Sequence, residues 1–284
     1  MQRRRTYLAA VGTAIATAGC FGGSNDDESN GSKRSDGTDT PSGPAVQSFD
    51  QPLAAGNAEV SLSKPAVQDS YFAALSEETI AVMAVNGKRF VFLTVDSTGD
   101  VAPKLEDFTF EAGDSSARAW TAYDGVVPAR NPTAKAPYTP ERGSGWIGFA
   151  VPAPLKGDHV VSLSVGGETV RTRLPESTRS SLQKPIAEYD VSNFSAPESA
   201  SPGDTVTVSF DIENTNGTAG VFHGALNGPE PKLFELQFAA GGSETREVEL
   251  TAKANDEEEN EMDLVLYAVG ARERASVSLG DGGN

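Results

Sequence analysis

One cysteine, two histidines, three methionines and two tryptophans are all that the 284 residues contain of those types. A single thiol, Cys20, excludes an internal disulfide and a four-thiolate zinc site. His159 and His223 leave little for metal binding or proton transfer, and each is expected to be a satisfied surface or edge histidine. Positive charge is scarce as well. The 23 Lys and Arg residues stand against 40 Asp and Glu, so the clustered cations that neutralise nucleic-acid phosphates are not expected. No run beyond residue 20 reaches the roughly 18 apolar residues of a membrane helix. A G-x-S-x-G elbow, an H-E-x-x-H pair, a P-loop and a dinucleotide fingerprint are all missing. With so many acids some carboxylate pair always fits glycoside hydrolysis, so that idea carries no weight. The sequence therefore predicts no enzyme, no cofactor, no metal site and no nucleic-acid partner.

What is present begins with "MQRRRTYLAAVGTAIATAGC". Arginines lead into a short Ala-rich apolar segment, and small residues precede Cys20. This is the layout of a secretory signal over 1–19. Its h-region is too short and mild for a stable membrane helix. Arg4-Arg5-Thr6-Tyr7-Leu8 resembles the twin-arginine export motif, a receptor-read address. Thr17-Ala18-Gly19-Cys20 resembles the lipobox of bacterial and archaeal lipoprotein precursors, with Thr17 where Leu is commoner. The resemblance implies a lipid thioether on Cys20 and cleavage before it. A cleaved signal with an incidental cysteine is the alternative. One lipid chain binds a membrane marginally and two bind firmly, at about 0.8 kcal/mol per buried methylene. The implied location is the outer face of the cell membrane.

Removing 1–19 takes away three arginines and no acid, leaving 20 basic against 40 acidic residues, a formal charge of −20. Such a surface self-repels at low ionic strength and is screened by salt. The composition is similar to that of secreted proteins from salt-adapted archaea. After Cys20, residues 21–45 are Gly, Ser, Asp, Asn and Thr with almost nothing apolar, which predicts a disordered tether. Its r.m.s. reach is about 25–30 Å. Asn30, Asn193 and Asn216 head N-x-[ST] sequons, weak signals for glycosylated loops.

The remainder predicts an all-β chain of two immunoglobulin-like antiparallel β-sandwiches, at 46–175 and 186–280, with a linker at 176–185 and a flexible tail at 281–284. In the first, "TIAVMAV" (79–85) and "KRFVFLTV" (88–95) flank Asn86-Gly87, a hairpin signal of the type I′ kind. Both runs are apolar on both faces, which places them centrally. Gly166-Gly167 marks a second hairpin. The best helix candidate is Ser70–Glu78, and it is short. Trp146 and Phe149 are expected to pack inward at a sandwich end. The Pro- and Gly-rich stretch 125–143 is expected to be a long loop. Its Arg130, Lys135 and Arg142 form the densest basic patch, readable as a solvated loop or as a binding loop. The segment from Gly143 to Pro175 resembles the end of immunoglobulin-like domains of unknown function in extracytoplasmic lipoproteins.

In the second sandwich, "DTVTVSFDIEN" (204–214) puts Val206, Val208, Phe210 and Ile212 on one face, the alternation of a half-buried strand. With the upstream prolines it resembles the cell-adhesion-related (CARDB) domain class of microbial surface proteins. That resemblance implies turn roles for Gly203 and Asn214. The acidic run 256–261 is expected to be a solvated turn rather than a Ca²⁺ site. The functional expectation is a lipid-anchored, non-catalytic binding or spacer module. The alternatives are an accessory lipoprotein of a transport or envelope assembly, engaging an envelope protein through 125–143, and, less favoured, an extracellular hydrolase. Glycan binding would speak for the first. The sequence leaves the oligomeric state open.

Overall fold

The structure, a computed structural model, describes residues 45–123, 125, 128–130, 133, 135–254 and 260–280. The expectations for the export signal, Cys20, Asn30, the tether, most of the acidic run and the tail fall outside these residues. Those described belong to one compact unit, and it is all-β.

Chain order in the first half is β1 (Val46–Ser48), β2 (Leu53–Ala55), β3 (Ala58–Gln68), β4 (Tyr71–Ala74), β5 (Ile80–Met83), β6 (Lys88–Ser97), β7 (Phe108–Ala112), β8 (Ser115–Arg118), β9 (Pro128–Arg130), β10 (Ser144–Pro152), β11 (Val160–Val165) and β12 (Glu168–Arg173). The helix α1 (Glu176–Leu182) follows. The second half holds β13 (Tyr189–Ser195), β14 (Ser199–Ala200), β15 (Thr205–Asn214), β16 (Gly220–Asn227), β17 (Lys232–Phe238), β18 (Ser243–Thr251), β19 (Glu261–Ala268) and β20 (Ala271–Leu279).

Both halves repeat one plan. In the second, the sheet β13-β15-β18 faces the sheet β14-β20-β19-β16-β17. Val206, Val208, Phe210 and Ile212 point into the core against Phe222, Met262, Leu264 and Leu266. In the first, β3-β6-β10 (extended by β2) faces β1-β12-β11-β7-β8. Its core joins Val91, Leu93, Ile147 and Phe149 to Phe108, Phe110, Val161 and Leu163. In each half a short edge strand runs parallel to the last strand, β1 with β12 and β14 with β20. This is the strand order of an immunoglobulin-like sandwich.

The first half carries a third layer. The small sheet β5-β4-β9 is built from two excursions of the chain, one between β3 and β6 and one between β8 and β10. It covers the outer face of β3-β6-β10, where Tyr71, Phe90, Phe92, Trp120 and Trp146 form a separate aromatic core. Central strand β6 is thus buried on both faces, as its unbroken apolar run suggests. Gly148 makes the contact with Trp120 feasible, because a Cβ there would lie 2.7–2.8 Å from the indole.

Several expectations change. Asn86-Gly87 forms a turn, with the Lys88 N–H donating to Val85 O at 3.0 Å. Gly87 has φ 68° but Asn86 is not in the left-handed region, which suits a type II turn and not type I′. Type II splays its flanking strands. Accordingly β5 pairs with β4, while β6 pairs with β3 and β10. Gly166-Gly167 has both φ values positive, at 63° and 86°, and closes the β11–β12 hairpin as expected. Residues 71–74 are strand, not helix, because Tyr71 and Ala73 bury in the aromatic core. The α-helix instead occupies most of the expected linker. Trp146 faces the third layer while Phe149 faces the inner core, since consecutive strand positions alternate faces. Stretch 125–143 is not wholly loop: it contributes β9, and Tyr138 pairs with Trp146 through its N–H at 2.9 Å.

Candidate binding cleft between the sandwiches

Both histidines are buried, which contradicts a surface reading, and His223 brings the halves together. His223, in β16, is 2% exposed. Its Nδ1 and the buried Ser70 Oγ share a hydrogen bond of 2.7 Å. The ring also lies 5.0 Å from that of Phe72. His159 is fully buried as well, just ahead of β11. Its Nε2 lies 3.3 Å from Leu155 O, and Nδ1 has no partner among the described residues. Burial, with the Arg179 charge adding to it, holds its pKa below the usual histidine value.

Arg89 stands beside half-buried Lys88 at the head of the apolar run of β6, and it is only 5% exposed. A buried guanidinium needs a full set of acceptors. Its Nε pairs with Asp69, which follows β3. Nη1 donates to Ser181 O and, at 3.2 Å, to Lys184 O; Nη2 donates to Pro185 O at 2.9 Å. One side chain therefore holds the end of α1 and the strap leading to β13. Asn227, at the end of β16, completes the contact. The Ile80 N–H donates to Asn227 Oδ1 and Asn227 Nδ2 donates to Ile80 O, each at 2.8 Å.

Two cavities open on either side of this contact, sharing Asp69 and Pro185. The first, of about 510 Å³, is lined by Gln68, Lys184, Thr218, His223, Glu235 and Gln237 among others. His223 and Glu235 stand directly opposite across β16 and β17. The second, of about 900 Å³, is lined by Glu188, Tyr189, Asp190, Glu213 and Asn216 among others. Asp190 and Glu213 face each other in register, a like-charge pair that costs stability. The Tyr189 hydroxyl has no partner among the described residues. Burial, then the Asp69 charge, pushes its pKa up to about 12.

The residues singled out from sequence lie elsewhere or play another part. Arg130 sits in β9 opposite Phe72. Lys135 and Arg142 are exposed, and Arg142 donates to Pro137 O. Lys135 and Arg142 line neither cavity. Asn193 is exposed at a bulge of β13 with φ 53°. Its Nδ2 donates to Asp211 at 2.7 Å, and Thr245 donates to the same carboxylate at 2.6 Å. These two bonds hold the Asp211 carboxyl below its usual pKa. Asn216 is half-buried and donates to Ile186 O at 2.8 Å, so a glycan on it requires that bond to open. Gly203, with φ 91°, occupies a turn as expected, whereas the buried Asn214 is the last residue of β15, paired with Tyr189, and not a turn residue. Asn214 Nδ2 donates to Thr218 O and Ala239 O. Asp69, Ser70, Arg89 and Asn227 carry the contact and were not singled out from the sequence. The one signal was Arg89, a cation beside Lys88 at the head of a central strand's apolar run, which must find partners once buried.

Among the described residues no group of three or more His, Cys, Asp or Glu side chains is placed to hold a metal ion. No helix among them is long and apolar enough to cross a membrane. No family model and no curated protein matches the chain. Among solved structures, an uncharacterized beta-sandwich protein from Clostridium difficile 630 is similar at 10% identity, over 47% of this chain and 97% of that one, with a TM-score of 0.29. A score at that level supports no argument, and the all-β assignment rests on the sheets above.

Proposed function

We propose that the chain is a lipid-anchored, extracytoplasmic spacer and binding module with no catalytic role. Cys20 carries the lipid, residues 21–45 lift the folded part from the headgroups, and the two sandwiches stand out as one stiff body. The observation that carries the stiffness is the Arg89 clasp. Its one guanidinium ties Asp69 to a carbonyl at the end of α1 and two on the strap, and Ser70–His223 and Ile80–Asn227 flank it. Beads on a string need no such investment of buried polar groups. The twin-arginine and lipobox resemblances, the acidic composition and the CARDB-like strand all support a secreted surface protein of a salt-adapted cell. The Ser70–His223 pair supports an architectural role, because Ser70 is fully buried and no substrate carbonyl reaches its hydroxyl.

Fractionation of native cells tests the anchoring. The expected result is a membrane-bound chain whose first residue is a lipid-bearing Cys20, and a Cys20→Ser variant shed into the medium. A membrane-bound chain that retains Met1 with a maleimide-reactive thiol contradicts it.

A further inference from the structure

We infer that the cleft of about 510 Å³ is a binding site for an uncharged polyhydroxylated ligand, a mono- or disaccharide. The inference rests on the binding-module reading above and names its ligand class. Its volume falls within the range of about 300–1,000 Å³ typical of small-molecule sites.

Charge is the first argument. The chain as a whole carries −17, and the neighbouring cavity has Glu188, Asp190 and Glu213 besides the Arg89-paired Asp69, with no Lys, Arg or His among the described residues of its lining. Here, by contrast, Asp69 is already paired with the buried Arg89, and Lys184 balances Glu235 in the lining. Against so acidic a background, a balanced wall is a local departure. Anions meet Glu235 and cations meet Lys184, whereas an uncharged ligand is repelled by neither.

Hydrogen bonding is the second. A sugar hydroxyl both donates and accepts, so its site needs donors and acceptors side by side. The wall supplies the carboxamides of Gln68 and Gln237, the Thr218 hydroxyl, the Glu235 carboxylate and the Lys184 ammonium. Among the described residues Gln68 Oε1 has no partner, an acceptor that a ligand hydroxyl satisfies after a small turn of the amide. Val221 and the exposed Pro185 add apolar surface to the same lining, suited to the C–H face of a sugar ring. Because the walls come from both sandwiches and the strap, an occupant also bridges them.

Calorimetric titration of the full chain, purified from native membranes in detergent, tests the inference. The probes are trehalose, maltose and N-acetylglucosamine, with spermidine and citrate as charged comparisons. Glu235 and Gln237 are exposed on β17, so Glu235→Ala and Gln237→Ala leave the fold intact, checked by unchanged near-UV circular dichroism. The expected result is saturable one-site binding of at least one saccharide, weakened tenfold or more in both variants. Glu249→Gln, on exposed β18 away from the cleft, binds as the unsubstituted chain does. Absence of saturation by all three saccharides, equal binding by the cleft variants, or saturable binding of spermidine or citrate alone overturns the inference. A chain anchored through Cys20 that binds no saccharide defeats this inference and leaves the anchoring intact. A sugar-binding chain that is not anchored does the reverse.

Discussion

Asn227 and Ile80 form a two-bond bridge between the sandwiches, with the carboxamide of one standing in for a neighbouring strand along the backbone of the other. Ile80 begins β5, whose strand partner is β4 on one side only. The amide of Asn227 satisfies both polar groups of that residue at once. Leaving buried backbone groups without partners costs about 1–3 kcal/mol each. Asn227→Leu should therefore lower stability by about 2–4 kcal/mol, read from the shift in urea midpoint. Asn227→Asp keeps the acceptor for the Ile80 N–H but loses the donor to Ile80 O, and is expected to fall as far or further.

Arg89 offers a sharper case. Truncation to Met leaves Asp69, whose side chain is 15% exposed, facing three uncompensated carbonyls without its cation. Breaking a buried pair in this way costs about 3–5 kcal/mol. Arg89→Lys should not rescue it, because an ammonium cannot span the carboxylate and the strap with one fork. Adding Asp69→Leu to Arg89→Met should recover part of the loss. Chemical denaturation of the three variants checks the order.

Gly148 is required by volume. Its backbone exchanges hydrogen bonds of 2.8 and 2.9 Å with Trp120, whose ring lies where a Cβ would project. Gly148→Ala pushes the indole off the sheet and should cost about 1–3 kcal/mol. Near-UV circular dichroism should lose intensity, since Trp120 also contacts the rings of Tyr71, Phe92 and Trp146.

His159 predicts a pH dependence. Burial depresses its folded-state pKa below the unfolded value of 6.5. The unfolded chain then binds the proton more readily, so stability from this group is fully present above pH 6.5 and is lost as pH falls through the folded pKa. Melting temperature should drop between pH 7.5 and pH 5, with the group's share of that slope abolished in His159→Gln. An unchanged slope in the variant contradicts the assignment.

Much of the second sandwich was legible because its signals are local. The alternation at Val206, Val208, Phe210 and Ile212 specifies which face is buried, and the Gly166-Gly167 turn in the first sandwich specifies its hairpin without help from elsewhere. Tertiary demand decided the rest. The Asn86-Gly87 signal is local too, but β4 claims β5 through ladder bonds that no window of sequence reveals. Tyr71 and Ala73 read as part of a weak helix until the aromatic layer that buries them is known. The cleft was least legible of all. Ser70 and His223 are 153 residues apart, as Ile80 and Asn227 are 147 apart. Only Arg89, at the head of the apolar run of β6, hinted that something buried awaited it.

The claim that the two sandwiches act as one stiff body is tested most directly by a spin-label distance measurement. Cys20→Ser removes the only native thiol, and cysteines placed at exposed Asp114 and Glu249 report on the two halves. The account predicts one narrow distance distribution that broadens when Arg89→Met and Asn227→Leu are combined. A broad or multimodal distribution in the chain that retains both residues would contradict it.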